Sequence, residues 1–406
     1  MIRSFHIDNF KSLVDFSLPV ELGQFTCLIG LNGSGKSTVL QAFDFLGHLV
    51  TGKVDDWLKR REWRKSDLTS RFLKKQLITF KVGFEFPQLG RVDWEGSFNV
   101  VLMRCTAESI NVGGRIVMKT TGGGLHIINA NKDTSSAFTL SGLTFQGSVL
   151  SLLKTSEYHP AIHAVEVFAG QLKSLDMLAP QLMRKRAKEA DDVGYGGERL
   201  SAYLHGFGKE AKARLLGTLQ GFYGQVESWD ASAIRAGWKE LRVRESFRDA
   251  HGKHLETEAH QLNDGMLRVL AILAQTQTGN PEWADEDFWK KAMHHQEYRF
   301  LLFDEIENGI NPEIVGKLIG HLLAVRQQIV VTSHSPMILN YLPDDVARKA
   351  VMLLYRTEQG MTRAARFFDL PEPARKLALL GPGEVFVDTD LSGAAQEAER
   401  LRGTTR

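Results

Sequence analysis

Gly30-Leu31-Asn32-Gly33-Ser34-Gly35-Lys36-Ser37-Thr38 sits between an apolar run, Phe25 to Ile29, and a helix-period run of Val39, Leu40, Phe43 and Leu46. The stretch fits G-x-x-x-x-G-K-[ST] in full and in its required context, a strand before it and a helix after it. Each residue type answers a physical need. Glycines let backbone N–H groups approach phosphate oxygens, and the helix N-terminus adds a positive dipole. The Lys36 ammonium then meets the β- and γ-phosphates, and the Ser37 hydroxyl ligates Mg²⁺. The expectation is an α/β nucleotide-binding fold with ATP and Mg²⁺ as its ligands.

Further motifs follow in order. Phe300-Leu301-Leu302-Phe303 reads as a buried strand ending in Asp304-Glu305. There Asp304 would hold Mg²⁺ through water and Glu305 would polarise the attacking water as general base. Leu262-Asn263-Asp264-Gly265-Met266 heads a helix carrying Leu267, Val269, Leu270 and Ile272, and Asn263 is a good N-cap. Glu307-Asn308-Gly309-Ile310-Asn311-Pro312 and Thr332-Ser333-His334-Ser335-Pro336 come next, and Asn9-Phe10-Lys11-Ser12-Leu13 precedes the glycine-rich turn.

This ordered set resembles the head domain of ABC-type ATPases of the SMC/RecF group, and within it the "AAA family" ATPases that include the ATPase halves of OLD-type and Septu-type defence proteins. The resemblance covers about residues 1–50 and 255–370. It implies an α/β, ABC-type (SMC/RecF-like) P-loop ATPase head with a short helical insertion. It places Asn32, Gly33, Ser34, Gly35, Lys36, Ser37 and Thr38 around the phosphates, with Lys11 and Ser12 at the side of the nucleotide. Asn263 and Gly265 become the signature turn, Asn308 to Asn311 the D-loop, and His334 the switch histidine that senses the γ-phosphate. The signature departs from the common Ser-Gly-Gly-Gln form at Asn263, Asp264 and Met266, and an acid at 264 sits uneasily beside a polyphosphate. In this group ATP is sandwiched between two heads, so a homodimer is implied.

The rest of the chain sets the boundaries. It has 406 residues, 50 Lys+Arg against 48 Asp+Glu, and 24% charged residues, which excludes wholesale disorder and a surface coated uniformly for nucleic acid. Cys27 and Cys105 both fall in strand-like runs and read as reduced core thiols, and no apolar stretch is long enough to span a bilayer, so a cytoplasmic protein without membrane contact is expected. Residues 1–154 read as an ATPase lobe with the P-loop and a sheet of hairpins over 76–150. Residues 155–230, with Ile162, Val165, Phe168, Leu172, Leu175 and Leu182 and then Leu200, Leu204, Leu215, Leu219 and Phe222, read as a pair of helices with apolar surface to spare. Residues 231–394 form a second ATPase lobe, and 395–406 a frayed polar tail.

Three features stay open at this level. Gln146, in Thr144-Phe145-Gln146-Gly147, is either the glutamine that contacts Mg²⁺ or an ordinary loop amide. Residues 51–75 carry nine Lys/Arg against four acids, and Arg184-Lys185-Arg186-Ala187-Lys188 forms a second cluster; each is either a sequence-independent DNA contact or a solvated face. Glu384, Asp388 and Asp390 imitate the acids of a Toprim nuclease, but 72 residues after His334 leave no room for such a domain. The expected function is an ATP-binding and hydrolysing switch that controls a separately encoded effector, such as a nuclease, in bacterial antiviral defence. The alternative is a RecF-like ATPase of DNA repair or recombination. A transporter subunit is disfavoured by the Asn9-to-Leu13 motif, and a non-hydrolysing protein by intact Lys36, Asp304 and Glu305.

Overall fold

The computed structural model describes residues 1–19, 21–129, 134–175, 179–277 and 300–404. Its centre is a six-stranded sheet in the order Lys173–Leu175, Phe300–Phe303, Gln328–Thr332, Phe25–Ile29, Val351–Arg356, Thr362–Arg366. All neighbours are parallel except the last pair. Phe25–Ile29, Phe300–Phe303 and Gln328–Thr332 are buried at every residue. That is why they read as unbroken apolar runs: a parallel strand covered on both faces has no solvent side to alternate with.

A second, eight-stranded sheet is antiparallel throughout. The N-terminal strand Ile2–Asp8 pairs with Phe16–Ser17 on one side and Leu77–Phe86 on the other, and hairpins continue to Ser135–Thr139. The P-loop helix, Lys36–Val50, is clamped between the two sheets. Its Phe43 ring lies 4.1 Å from Phe5 of the antiparallel sheet and 4.9 Å from Phe300 of the parallel one. The helix therefore buries apolar residues on two faces. Gly47 marks a close approach: a Cβ there would lie 2.2 Å from the Leu172 carbonyl oxygen.

Residues 155–230 differ from the expected helical pair. They form Pro160–Gly170, the edge strand Lys173–Leu175, the short helices Pro180–Met183 and Leu200–His205, and Lys209–Phe222, before Val226–Ala233 opens a three-stranded antiparallel sheet. Glycine and proline at Gly170, Pro180, Gly194 and Gly197 interrupt the period. The two apolar stripes also serve different cores. Ile162, Val165 and Phe168 pack with the P-loop helix, whereas Leu200, Leu204, Leu215 and Leu219 pack with the signature helix, Asp264–Thr276. Among the described residues, none of the exposed large hydrophobic side chains falls within 155–230. The most exposed are Leu379 (86%) and Val387 (70%), at the C-terminal helices.

The tail is also ordered. Leu391–Thr404 is a helix that buries Ala394 and Ala398, and the Tyr355 hydroxyl donates to Glu399 Oε2 at 3.0 Å. The three nuclease-like acids are used locally: Glu384 accepts from the Gly381 amide, Asp390 from Ser392 and Gly393, and Asp388 pairs with Lys376. Among the described residues no helix is long and apolar enough to cross a membrane.

Two largely buried histidines are expected to make the stability of this fold depend on pH. Burial holds both His48 and His321 below the ordinary imidazole value. The unfolded chain then takes up protons first as pH falls through about 6.5, so stability present above that value is lost below it. A lower Tm at pH 5 than at pH 7.5 is expected, and His48→Gln with His321→Gln should narrow the gap. An unchanged gap would assign the pH dependence to other groups.

Candidate functional site

The turn after Ile29 has its shape imposed by packing. Gly30 has φ +142°, and a Cβ on it would meet the Leu354 carbonyl oxygen at 2.1 Å; Gly35 has φ +108° and faces Thr362 just as closely. Side chains are excluded at both positions, on steric grounds and on conformational ones. Lys36 Nζ is buried and donates to the carbonyls of Gly30 (2.9 Å) and Leu31 (3.1 Å). Burial lowers its pKa, while Asp304, Glu305 and Glu307 pull the other way. Ser34 Oγ is buried with no hydrogen-bond partner. A buried cation, an orphaned hydroxyl and a glycine cradle at a helix N-terminus are what a polyphosphate would satisfy.

The acids stand near it, because Phe300–Phe303, which ends in them, is separated from the P-loop strand only by Gln328–Thr332. Asp304 follows Phe303, and His334 lies just past Thr332, at the carboxyl ends where open α/β sheets place their ligands. The Thr332 hydroxyl donates to Asp304 Oδ1 and accepts from the Glu305 amide at 2.8 Å. Glu305 has φ +46°, and its side chain is half exposed, with Oε1 4.0 Å from His334 Nε2 and Oε2 accepting from Asn308 Nδ2 at 3.3 Å. It is open to water.

Other residues take different places from those expected. Lys11 Nζ donates to Gln41 Oε1 at 3.0 Å and stands 3.1 Å from the Trp63 ring centroid; Gln41 is one helical turn past Ser37. Ser12 is buried behind the P-loop. Its hydroxyl bonds to Thr362 Oγ1 (2.8 Å), which in turn donates to the Ser34 carbonyl (3.0 Å), so Ser12 braces the turn instead of lining it. Gln146 lies at the wrong end of the P-loop helix. It bonds to Asp55 and stands beside Gly52, roughly 20 Å along the helix from Ser37, so it is not a ligand of a metal there.

Asn263 caps the signature helix, accepting from the Met266 amide at 2.8 Å. The awkward Asp264 is neutralised: Arg184 Nη2 reaches it at 2.6 Å and the Leu262 carbonyl at 2.7 Å. Asn263 and Asp264 are exposed, and Gly265 packs on the Gly309 carbonyl of the D-loop. The 184–188 cluster is therefore largely consumed, since Arg186 pairs with Glu240 and Lys188 lies over Trp238. In the first cluster Arg61 is buried, but Lys59, Arg60, Arg64, Lys65, Arg71 and Lys74 are exposed.

Two residues here belong to no motif weighed above, Thr362 and Arg356, whose Nε donates to the Gly33 carbonyl at 2.7 Å, and the contacts of Thr332 and Arg184 go beyond the motifs that contain them. Their partners are remote in sequence, and spacing alone carries no sign of them.

Comparison with known proteins agrees with this geometry. Residues 1–86 match a family described as "AAA ATPase domain", and residues 148–340 match one described as "AAA domain, putative AbiEii toxin, Type IV TA system". Among solved structures, the chain is similar to an SMC head bound to the C-winged helix domain of ScpA, with a TM-score of 0.53 and 14% identity over 90% of this chain and 97% of that one. An Smc head with an extended coiled coil, bound to the C-terminal domain of ScpA derived from Pyrococcus furiosus, aligns at 0.48 and 13% over 93% and 99%. No curated protein matches the chain. The chain carries two AAA-type ATPase domain matches and has the mixed α/β fold of an SMC ATPase head.

Proposed function

We propose that this chain is an ATP-hydrolysing switch whose two heads close on ATP and whose state is read by a separate effector protein, in antiviral defence. The observation that carries the reading is the convergence of Lys36, Asp304, Glu305 and His334 at adjacent strand ends, while the signature turn Asn263–Gly265 lies at the surface against the D-loop. A second head would supply its signature turn to this P-loop. Asn32 to Thr38 hold the phosphates, with Lys36 as their counter-charge. Ser37 and Asp304 would hold Mg²⁺, which when bound neutralises phosphate charge. Glu305 takes the proton of the attacking water, and His334 stands beside it toward the γ-phosphate. Lys11 lies along the nucleotide's flank, through Gln41.

Control of a partner is supported by analogy. An SMC head is seen with ScpA bound, and the description of the second matching family names a toxin–antitoxin system. The effector surface is placed on the C-terminal helices, where Leu379 and Val387 are exposed. Phosphate release with ATP and Mg²⁺, run alongside light scattering, tests the switch; no turnover and no change of mass would remove it.

The exposed cations of 51–75 favour a second reading, a RecF-like ATPase that holds DNA. Binding would be sequence-independent and fall steeply with salt. Reversing Lys59, Arg60, Arg64 and Lys65 to Glu should then lower affinity at least about tenfold and flatten the salt dependence. Unchanged binding would return these side chains to a solvated face.

A further inference from the structure

Glu307 stands two residues beyond the general base and has no role in the chemistry above, yet it makes the densest set of contacts in the site. Its Oε1 accepts from the Ser333 hydroxyl (2.9 Å), the His334 amide (3.0 Å) and the Ser335 amide (3.2 Å). Its Oε2 is buried without a partner. An ionised carboxylate gripping two backbone amides and a hydroxyl is a charge-assisted clamp, stronger than neutral hydrogen bonds. The grip is crossed by a second one in the opposite sense, since Thr332, from the switch strand, holds the Glu305 amide at 2.8 Å. Two ties of opposite direction thus join the acidic turn to the switch turn, across which Glu305 Oε1 stands 4.0 Å from His334 Nε2.

Glu307 also directly precedes the D-loop, Asn308 to Asn311. Gly309 lies two residues on, and its carbonyl oxygen would be 3.0 Å from a Cβ on Gly265 of the signature turn; the Arg268 side chain packs beside Gly309. A push on the signature turn or D-loop therefore reaches the switch histidine through one side chain.

We propose that Glu307 is a positioning residue for ATP hydrolysis: it fixes the His334 backbone relative to Glu305 and ties that geometry to the seating of the D-loop on the signature turn. This rests on the hydrolytic reading of Glu305 and His334. The substituent that matters is one acceptor oxygen, so removal and conservative replacement should differ.

Glu307→Ala is expected to lower turnover by about 100-fold, the scale of an ångström-level misplacement. Nucleotide affinity, read with a fluorescent ATP analogue, should stay within about threefold, since the P-loop is untouched. Glu307→Gln keeps an Oε1 acceptor and should recover turnover to within about tenfold of wild type. Amide hydrogen exchange gives a readout free of catalysis: exchange at His334 and Ser335 should accelerate in the Ala variant and stay slow in the Gln variant. Wild-type turnover in Glu307→Ala overturns the proposal, as does an equal loss in both variants or a loss of affinity parallel to the loss of turnover. If wild type hydrolyses no faster than Glu305→Gln, the hydrolytic reading fails, and the exchange rates at His334 and Ser335 alone decide whether Glu307 holds the switch turn.

Discussion

Glu305→Gln is expected to bind ATP, to lose turnover by roughly 10²–10⁴-fold, the range for removal of a general base, and to accumulate at twice the monomer mass with ATP and Mg²⁺. The substitution keeps the shape of the turn: the Glu305 amide stays on Thr332, and only the half-exposed carboxylate loses its basicity. Lys36→Ala should do the reverse. It removes the buried ammonium that spans the Gly30 and Leu31 carbonyls and leaves a polyphosphate without its counter-charge, so nucleotide binding and ATP-dependent association should vanish together. The contrast between the variants separates closure from hydrolysis, because a ligand can shift an assembly only by binding one state better than the other. Light scattering with and without ATP reads both. Identical masses for the two variants would sink the sandwich. A dimer indifferent to ATP in both would place the contact between chains away from the signature turn.

The parts of this site legible in the sequence are those whose chemistry depends on local spacing. The P-loop needs eight contiguous residues; Asp304 and Glu305 end one strand and His334 follows another, so short windows reveal each. The strands on which they ride were equally plain, because burial on both faces leaves a continuous apolar run. What stayed hidden depends on which distant residue meets which. Ser12 carries a motif position but spends its hydroxyl on Thr362, a pairing 350 residues apart. Asp264 reads as hostile to phosphate, and only the fold sets Arg184, 80 residues earlier, across from it. The stripes of 155–230 were real, but periodicity shows only that a face is buried, not against what. Ile162 and Leu200 go to different cores, and the helical pair dissolves. Gln146 fails for the same reason, since only the fold shows which end of the P-loop helix it reaches.

The basic run 51–75 makes the same point with a large effect attached. Arg61→Met is expected to destabilise the protein by about 3–5 kcal/mol, the cost of stranding one member of a buried ion pair. Arg61 and Asp44 side chains are only 2% and 4% exposed, with Nη2 2.8 Å from Oδ2. The guanidinium lies 5.2, 4.9 and 4.5 Å from the rings of Trp57, Trp63 and Tyr195. Asp44 is on the P-loop helix, so its carboxylate would lose the guanidinium while the Trp57 indole stays at 2.5 Å and His48 Nδ1 at 3.5 Å. Adding Asp44→Asn should restore much of the loss, because exchanging both charges for neutral groups of similar volume is often close to neutral. Arg60→Met, one residue away but exposed, should move the urea midpoint hardly at all, within about 0.5 kcal/mol. Equal midpoints for Arg60→Met and Arg61→Met would refute the buried pair. The same logic dictates which cations a DNA experiment reverses: a variant that included Arg61 would lose binding by unfolding, whereas Lys59, Arg60, Arg64 and Lys65 are exposed and report on the surface alone.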